Sequence, residues 1–194
     1  MKTIGITGGI GAGKSVVSRI LREMGCPVYD CDFRSRQLMD ESEDLKRGIE
    51  GMIGAECILA DRSLDRRAIA AKVFADASLL AWLNGRVHDM VRLDLADWLR
   101  NQSEGCRVAF VESAVMKTSG LDRICDEIWL VDAPENLRID RAVLRDNSPK
   151  EAIAARIKAQ QTEFDNLAAP VVIIDNSGSI PLLPQIENNL SKIN

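Results

Sequence analysis

The stretch GITGGIGAGKSVVSRIL, residues 5–21, decides how the rest of the chain is read. Gly8, Gly9, Gly11 and Gly13 are followed directly by Lys14 and Ser15, with an apolar run before them and a helical pattern after them. Residues 8–15 fit G-x-x-x-x-G-K-[ST] in the strand, loop and helix setting that gives the pattern its meaning. Glycine permits positive φ and leaves no Cβ between the main chain and an anion. The loop N–H groups can then face inward, and the following helix adds its positive end. Lys14 would bridge the terminal phosphates of a nucleotide, and the Ser15 hydroxyl would ligate Mg²⁺. Gly8, Gly9, Ile10, Gly11, Ala12, Gly13, Lys14, Ser15 and Val16 are therefore the expected nucleotide-binding segment. The plain alternative is a tight glycine turn beside an incidental lysine. A G-x-G-x-x-G dinucleotide site fails because Val16 stands where the third glycine is required. The chain has no N-K-x-D guanine motif, which leaves ATP as the expected nucleotide.

Short apolar runs at 2–7, 27–29, 107–111, 127–131 and 171–174 read as buried parallel strands with helical patterns between them. The first helix, 14–24, would bury Val16, Val17, Ile20, Leu21 and Met24. Another, 79–99, repeats Leu83, Val87, Val91, Leu95 and Leu99 in steps of four, and Ser148-Pro149-Lys150-Glu151 reads as a capping box opening a third. The alternation predicts a three-layer α/β fold around a five-stranded parallel sheet. The mainly helical stretch at about 33–104 exceeds any single crossover. It reads as an insertion covering a second substrate.

With 194 residues, 46% of them hydrophobic, the chain can build one core with a modest insertion, so a single domain over 1–194 is expected. A formal charge of -4 argues against a nucleic-acid or membrane-surface binder. With no apolar run long enough for a membrane span, the expectation is a soluble, cytoplasmic protein. Cys26, Cys31, Cys57, Cys106 and Cys125 form no CxxC pair and read as buried or incidental thiols. His88 is the only histidine, which excludes a His-rich metal site.

Two further clusters stand out. YDCDFRSR, residues 29–36, follows the second strand on the side of the sheet that faces the phosphate loop, giving Asp30, Asp32, Arg34 and Arg36 access to an acceptor. One aspartate can take a hydroxyl proton while an arginine holds an anion; acids decorating a helix N-terminus are the alternative. After the fourth strand, Arg138, Arg141 and Arg145 share a helical face, with Arg156 in the next helix. They read either as a lid over transferring phosphates, at about 138–160, or as a solvated face. Glu112, at the end of the third strand, is a candidate for a water-mediated Mg²⁺ contact or an ordinary polar strand end.

These motifs together resemble the dephospho-coenzyme A kinase family nearly end to end. GITGGIGAGKS is similar to that family's phosphate loop, and DCDFRSR to its Asp-Ala-Asp motif. LDRRAIAAKVF, residues 64–74, resembles part of its helical insertion, RAVLRDNSPKEAIAARIKAQ its lid, and IDNSGS, residues 174–179, its closing strand and loop. The resemblance implies a P-loop kinase fold whose substrates are ATP and dephospho-coenzyme A. Asp32, Lys14, Arg141 and Arg145 would be catalytic, and Asn176 would lie near adenine. Asp30, Asp32, Arg36 and His88 would hold the acceptor, Gln160 would fall on a lid position, and the protein would be a monomer or weak homo-oligomer. A kinase for another small acceptor, such as a nucleoside monophosphate, and a non-catalytic ATP-binding module are the competing readings. The chain departs from the family pattern at Asp89, where proline is expected, at Thr118, where glutamate is expected, and at Pro170, where aspartate is expected.

Overall fold

A computed structural model describes residues 1–102 and 105–193; residues 103, 104 and 194, where the expected insertion and domain end, lie outside the described residues. The elements run β1 (Lys2–Thr7), α1 (Lys14–Glu23), β2 (Val28–Asp30), α2 (Cys31–Glu41), α3 (Glu43–Met52), α4 (Arg66–Val73), α5 (Ala77–Gln102), β3 (Val108–Glu112), β4 (Glu127–Asp132), α6 (Glu135–Asp146), α7 (Lys150–Ala159), β5 (Val171–Asp175) and α8 (Leu182–Leu190). Two compact units result: Met1–Asp30 with Trp98–Asn194, and Cys31–Asp97.

In the first unit the strands form one parallel sheet in the order β2-β3-β1-β4-β5. Along β1 the period of two sends Ile4 and Ile6 to one face, where they pack with Val17 and Leu21 of α1, Ile186 of α8, Phe110, Trp129 and Ile174. Phe110 and Trp129 meet edge to face at 5.2 Å. Gly5 faces the other way, where an added Cβ would lie 3.0 Å from Met116 Cε and 3.1 Å from Cys125 Sγ. Thr7, Asp30, Glu112, Asp132 and Asp175 end their strands on one edge. In such sheets ligands bind beyond this edge, near the strand where the order reverses, which here is β1.

β2, β3, β4 and β5 each run one residue past the end of their apolar runs, because the ladder is a main-chain property. Asp30 pairs with Glu112, and Asp132 with Asp175. Two local expectations are corrected. In α1 the buried residues are Val17, Ser18 and Leu21, while Val16 and Met24 remain 44% and 40% exposed. The capping box is absent: α7 starts at Lys150 with Pro149 at its cap and no side-chain cap bond, while Ser148 Oγ donates to Asp146 O at 3.2 Å. Asn147, left-handed at φ 47°, ends α6 and turns the chain into α7. Proline therefore sets the entry to α7, since it needs no N–H partner there.

The second unit is helical around Leu45, Ile49, Ile53, Cys57, Leu64, Ile69, Val73 and Leu83. Two of its helices start on side-chain caps: at α3 Ser42 Oγ accepts from Leu45 N, and at α4 Asp65 Oδ1 accepts from Arg67 N and Ala68 N. All five cysteines are free thiols, with Cys31, Cys57 and Cys125 buried. Among the described residues no helix is long and apolar enough to cross a membrane.

Candidate active site

The chain from β1 into α1 wraps a small cradle. Gly8 has φ 150°, and a Cβ there would lie 2.2 Å from Val131 O of β4. Gly13, left-handed at φ 103°, caps α1 with no side-chain bond, so no side-chain cap occupies the anion-binding end of the helix. Ala12 N bonds to Gly9 O at 3.0 Å and Val16 N to Gly13 O at 3.0 Å, which shapes the loop. Lys14 Nζ donates to Gly8 O at 2.7 Å, folding its charge back across the loop mouth. Ser15 is exposed in the first turn of α1.

The helical hairpin of α6 and α7 supplies arginines. Arg141 Nη2 donates to Asn176 O at 3.0 Å, and Asn176 Nδ2 donates to Ala12 O at 2.7 Å, so the structure joins Arg141, Asn176 and the loop. Arg141 Nη1 is buried with no hydrogen-bond partner among the described residues. Arg145 does not join this group. It forms a two-point pair with Asp146, which also accepts from Arg156 Nη1 at 3.1 Å. Arg145 and then Arg156 hold the Asp146 carboxyl down at about 2. Two residues outside the expected core set also reach the loop: Arg138 Nε donates to Ile10 O at 3.1 Å, and Gln160 Oε1 accepts from Ile10 N at 3.1 Å. The only signal for Arg138 in the sequence was its spacing from Arg141.

At the end of β3, Glu112 is buried, and its Oε2 has no hydrogen-bond partner among the described residues. Burial pushes its carboxyl above the usual carboxylate range, with Asp30 adding to the rise and Ser18, Lys14 and Arg22 opposing it. Among the described residues no cluster of three His, Cys, Asp or Glu could cage a metal ion.

The remaining expected acceptor residues lie in the second unit. Asp32 is exposed in the first turn of α2, and its carbonyl accepts from Ser35 Oγ at 3.0 Å. Arg34 forms a two-point pair with Asp94, Nε to Oδ2 at 2.9 Å and Nη2 to Oδ1 at 2.8 Å. Arg36 is exposed on α2, with its carbonyl accepting from Arg66 Nη2, and His88 is half-buried on α5. The three departures are each accommodated. Asp89 pairs with Arg92 one turn on. Pro170 O accepts from Ile128 N at 2.8 Å, a bond that needs no donor from proline. Thr118 donates its hydroxyl to Glu163 Oε2 at 2.5 Å, while Glu163 Oε1 accepts from Lys117 N at 2.6 Å and Thr118 N at 2.9 Å. A carboxylate therefore stands at this place, supplied by the segment after α7.

The family model for dephospho-CoA kinase matches residues 2–181. The dephospho-CoA kinase of Porphyromonas gingivalis is 43% identical over 163 residues, 84% of this chain and 79% of that protein. The dephospho-CoA kinase of Bacteroides fragilis is 36% identical over 183 residues, 94% and 88% of the two chains. Among solved structures, a Thermus thermophilus protein matches with a TM-score of 0.80 at 32% identity, covering 98% of this chain and 94% of that one. A dephospho-CoA kinase from Campylobacter jejuni matches in fold with a TM-score of 0.71 at 21% identity, covering 99% and 96%.

Proposed function

The chain belongs to the dephospho-CoA kinase family, and on that premise we propose which residues carry the γ-phosphoryl group of ATP to the 3′-hydroxyl of dephospho-CoA. As a family member it is an ATP-dependent kinase with two small-molecule substrates. One observation carries the nucleotide half of the reading: Arg141, Asn176 and Ala12 are linked in one hydrogen-bonded chain beside the uncapped start of α1. Those N–H groups of residues 8–16 that are not bonded to Gly9 O, Gly13 O or Gln160 hold the phosphates together with Lys14. Asn176 borders the nucleotide, and the buried, unpartnered Arg141 Nη1 has a donor to spare for an oxygen. Arg145 reaches the phosphoryl group only by leaving Asp146, as expected of a lid whose contacts form on closure.

Asp32 takes the proton of the attacking hydroxyl. A ribose hydroxyl is a poor nucleophile until its proton has an acceptor, and an exposed carboxylate two residues beyond the end of β2 supplies one. Asp30, Arg36 and His88 hold the acceptor molecule. Mg²⁺ takes few protein oxygens and completes its shell with water and phosphates. The exposed Ser15 hydroxyl and the orphaned Glu112 Oε2 are donors of that kind, so the residues fit the ion. When bound it neutralises charge on the β- and γ-phosphates. The whole chain acts as one kinase domain in the cytoplasm, as a monomer or weak homo-oligomer. Sedimentation of a tight dimer would correct the last point.

ADP release measured over an acceptor panel tests the substrate: release is expected with dephospho-CoA and not with nucleoside monophosphates, and the reverse pattern, or ATP binding without turnover, overturns the reading. Asp32→Asn should bind both substrates and lose roughly two or more orders of magnitude in kcat, with Asp30→Asn the milder variant.

A further inference from the structure

Ile10 is held at three points by the α6–α7 hairpin. Its side chain packs on Ile139, Ala142, Ile153 and Ile157 in the hairpin's own core. Its carbonyl accepts from Arg138 Nε of α6, and its N–H donates to Gln160 Oε1 at the end of α7, both at 3.1 Å. The two glycines flanking Ile10 are shaped to the same helix. A Cβ on Gly11 would lie 2.1 Å from Arg138 O, and a Cβ on Gly9 would lie 2.0 Å from Arg138 Nη2 and 2.5 Å from its Cζ. Gly9, unlike Gly8, Gly11 and Gly13, has no positive φ, so its backbone would accept a side chain. A side chain there would have to displace the Arg138 guanidinium, whose Nε is bonded to Ile10 O.

We propose that Arg138 is a positioning residue that clamps the phosphate loop to the hairpin through Ile10, and that residue 9 is glycine to seat its guanidinium. The clamp fixes the peptide groups on either side of Ile10, and so the aim of the loop's donors at a nucleotide triphosphate. Because Arg141 sits one turn further along α6 and reaches Ala12 through Asn176, a displacement of α6 moves both ends of the loop together. Arg138 therefore acts on ATP binding without touching the acceptor. This rests on the reading of residues 8–15 as the ATP site.

Calorimetry with ATP and steady-state kinetics on Arg138→Ala, Gly9→Ala and the double variant test it. Each single change should weaken ATP binding about tenfold and leave KM for dephospho-CoA within twofold. The double variant should be no weaker than Gly9→Ala alone, because the added methyl then fills the space the guanidinium left. Arg138→Met, which keeps the stem and removes the donor, should behave as Arg138→Ala, and it replaces the alanine variant if that fails to fold. Multiplied losses in the double variant, ATP affinity within twofold of wild type in the arginine variants, or an equal rise in KM for dephospho-CoA would overturn the clamp. Amide exchange at Ile10 without nucleotide reads the clamp independently of ATP. Exchange should quicken at least tenfold in Arg138→Met and in Gln160→Ala, and unchanged exchange refutes the clamp. If the wild-type protein does not bind ATP while this exchange responds as expected, the ATP reading falls and the clamp stands.

Discussion

Replacing Glu163 by alanine should cost about 3–4 kcal/mol of stability, although the residue lies in a short 3-10 turn, Gln161–Glu163, outside the sheet and the long helices. Glu163 is only 8% exposed, and its carboxylate takes two main-chain N–H groups and one hydroxyl from Lys117 and Thr118. Lys117 Nζ closes the same junction by donating to Asp165 O at 2.6 Å. Hydrogen bonds to a charged acceptor are worth roughly 1.5–3 kcal/mol each when removed singly. Three that share one carboxylate do not add, and water entering the vacated space recovers part of the loss, which brings the total to the stated range. Glu163→Gln keeps one carbonyl oxygen for the two N–H donors and should cost about 1–2 kcal/mol. For a chain of this size each kcal/mol moves Tm by about 2–4 °C, so the alanine variant should melt roughly 6–16 °C lower. Urea unfolding followed by circular dichroism, with midpoints compared at unchanged slope, measures both variants. An alanine variant within about 0.5 kcal/mol of wild type, or a glutamine variant as damaged as alanine, would refute this account of the junction.

Lys14→Ala should fold with stability within about 0.5 kcal/mol of wild type and lose turnover, because its charge serves the phosphates; near-normal activity in a coupled assay would refute this. Arg141→Ala and Arg145→Ala should lower kcat more than they raise the dissociation constant for ATP, as calorimetry beside kinetics would show. The alkaline limb of stability should depend on Cys125, whose thiol burial pushes up to about 12, with Asp126 and Asp122 adding to the rise. A thiol raised on folding stabilises fully below the free-thiol range, and that contribution is lost as pH climbs from about 9 toward 12. Cys125→Ala should flatten this limb in urea midpoints taken from pH 7 to 10.5, and parallel decline of the two proteins would show that other groups control it.

The sheet was legible because buried parallel strands are continuous apolar runs, and these runs stop at Tyr29, Val111, Val131 and Ile174. Each strand continues by one acidic residue, since pairing of main-chain groups does not depend on side-chain polarity. Those four acids include Asp30 and Glu112, which the ladder sets opposite each other at the edge where a phosphate site belongs. The misread face of α1 has a related cause. Apolar residues at Val16 and Met24 fit a helical stripe, yet the sheet covers only the arc through Val17, Ser18 and Leu21, and what a neighbouring layer covers is not written in the helix itself.

The phosphate loop was legible for a different reason: its donors are main-chain N–H groups, which every residue but proline has, so only the glycine pattern and the lysine can mark it, and both are contiguous. Its supports are side chains reaching main-chain atoms far away in the chain. Arg138 and Gln160 stand 128 and 150 positions from Ile10, and Thr118 stands 45 from Glu163. Any donor or acceptor of the right reach can fill such a role, so the sequence shows three arginines on one helix and no sign that one grips Ile10, one leans on Asn176 and one is tied to Asp146. Gly9 was the local trace of this arrangement. It is the one of the four loop glycines without a positive φ, and a side chain there would meet the guanidinium of a residue more than a hundred positions away.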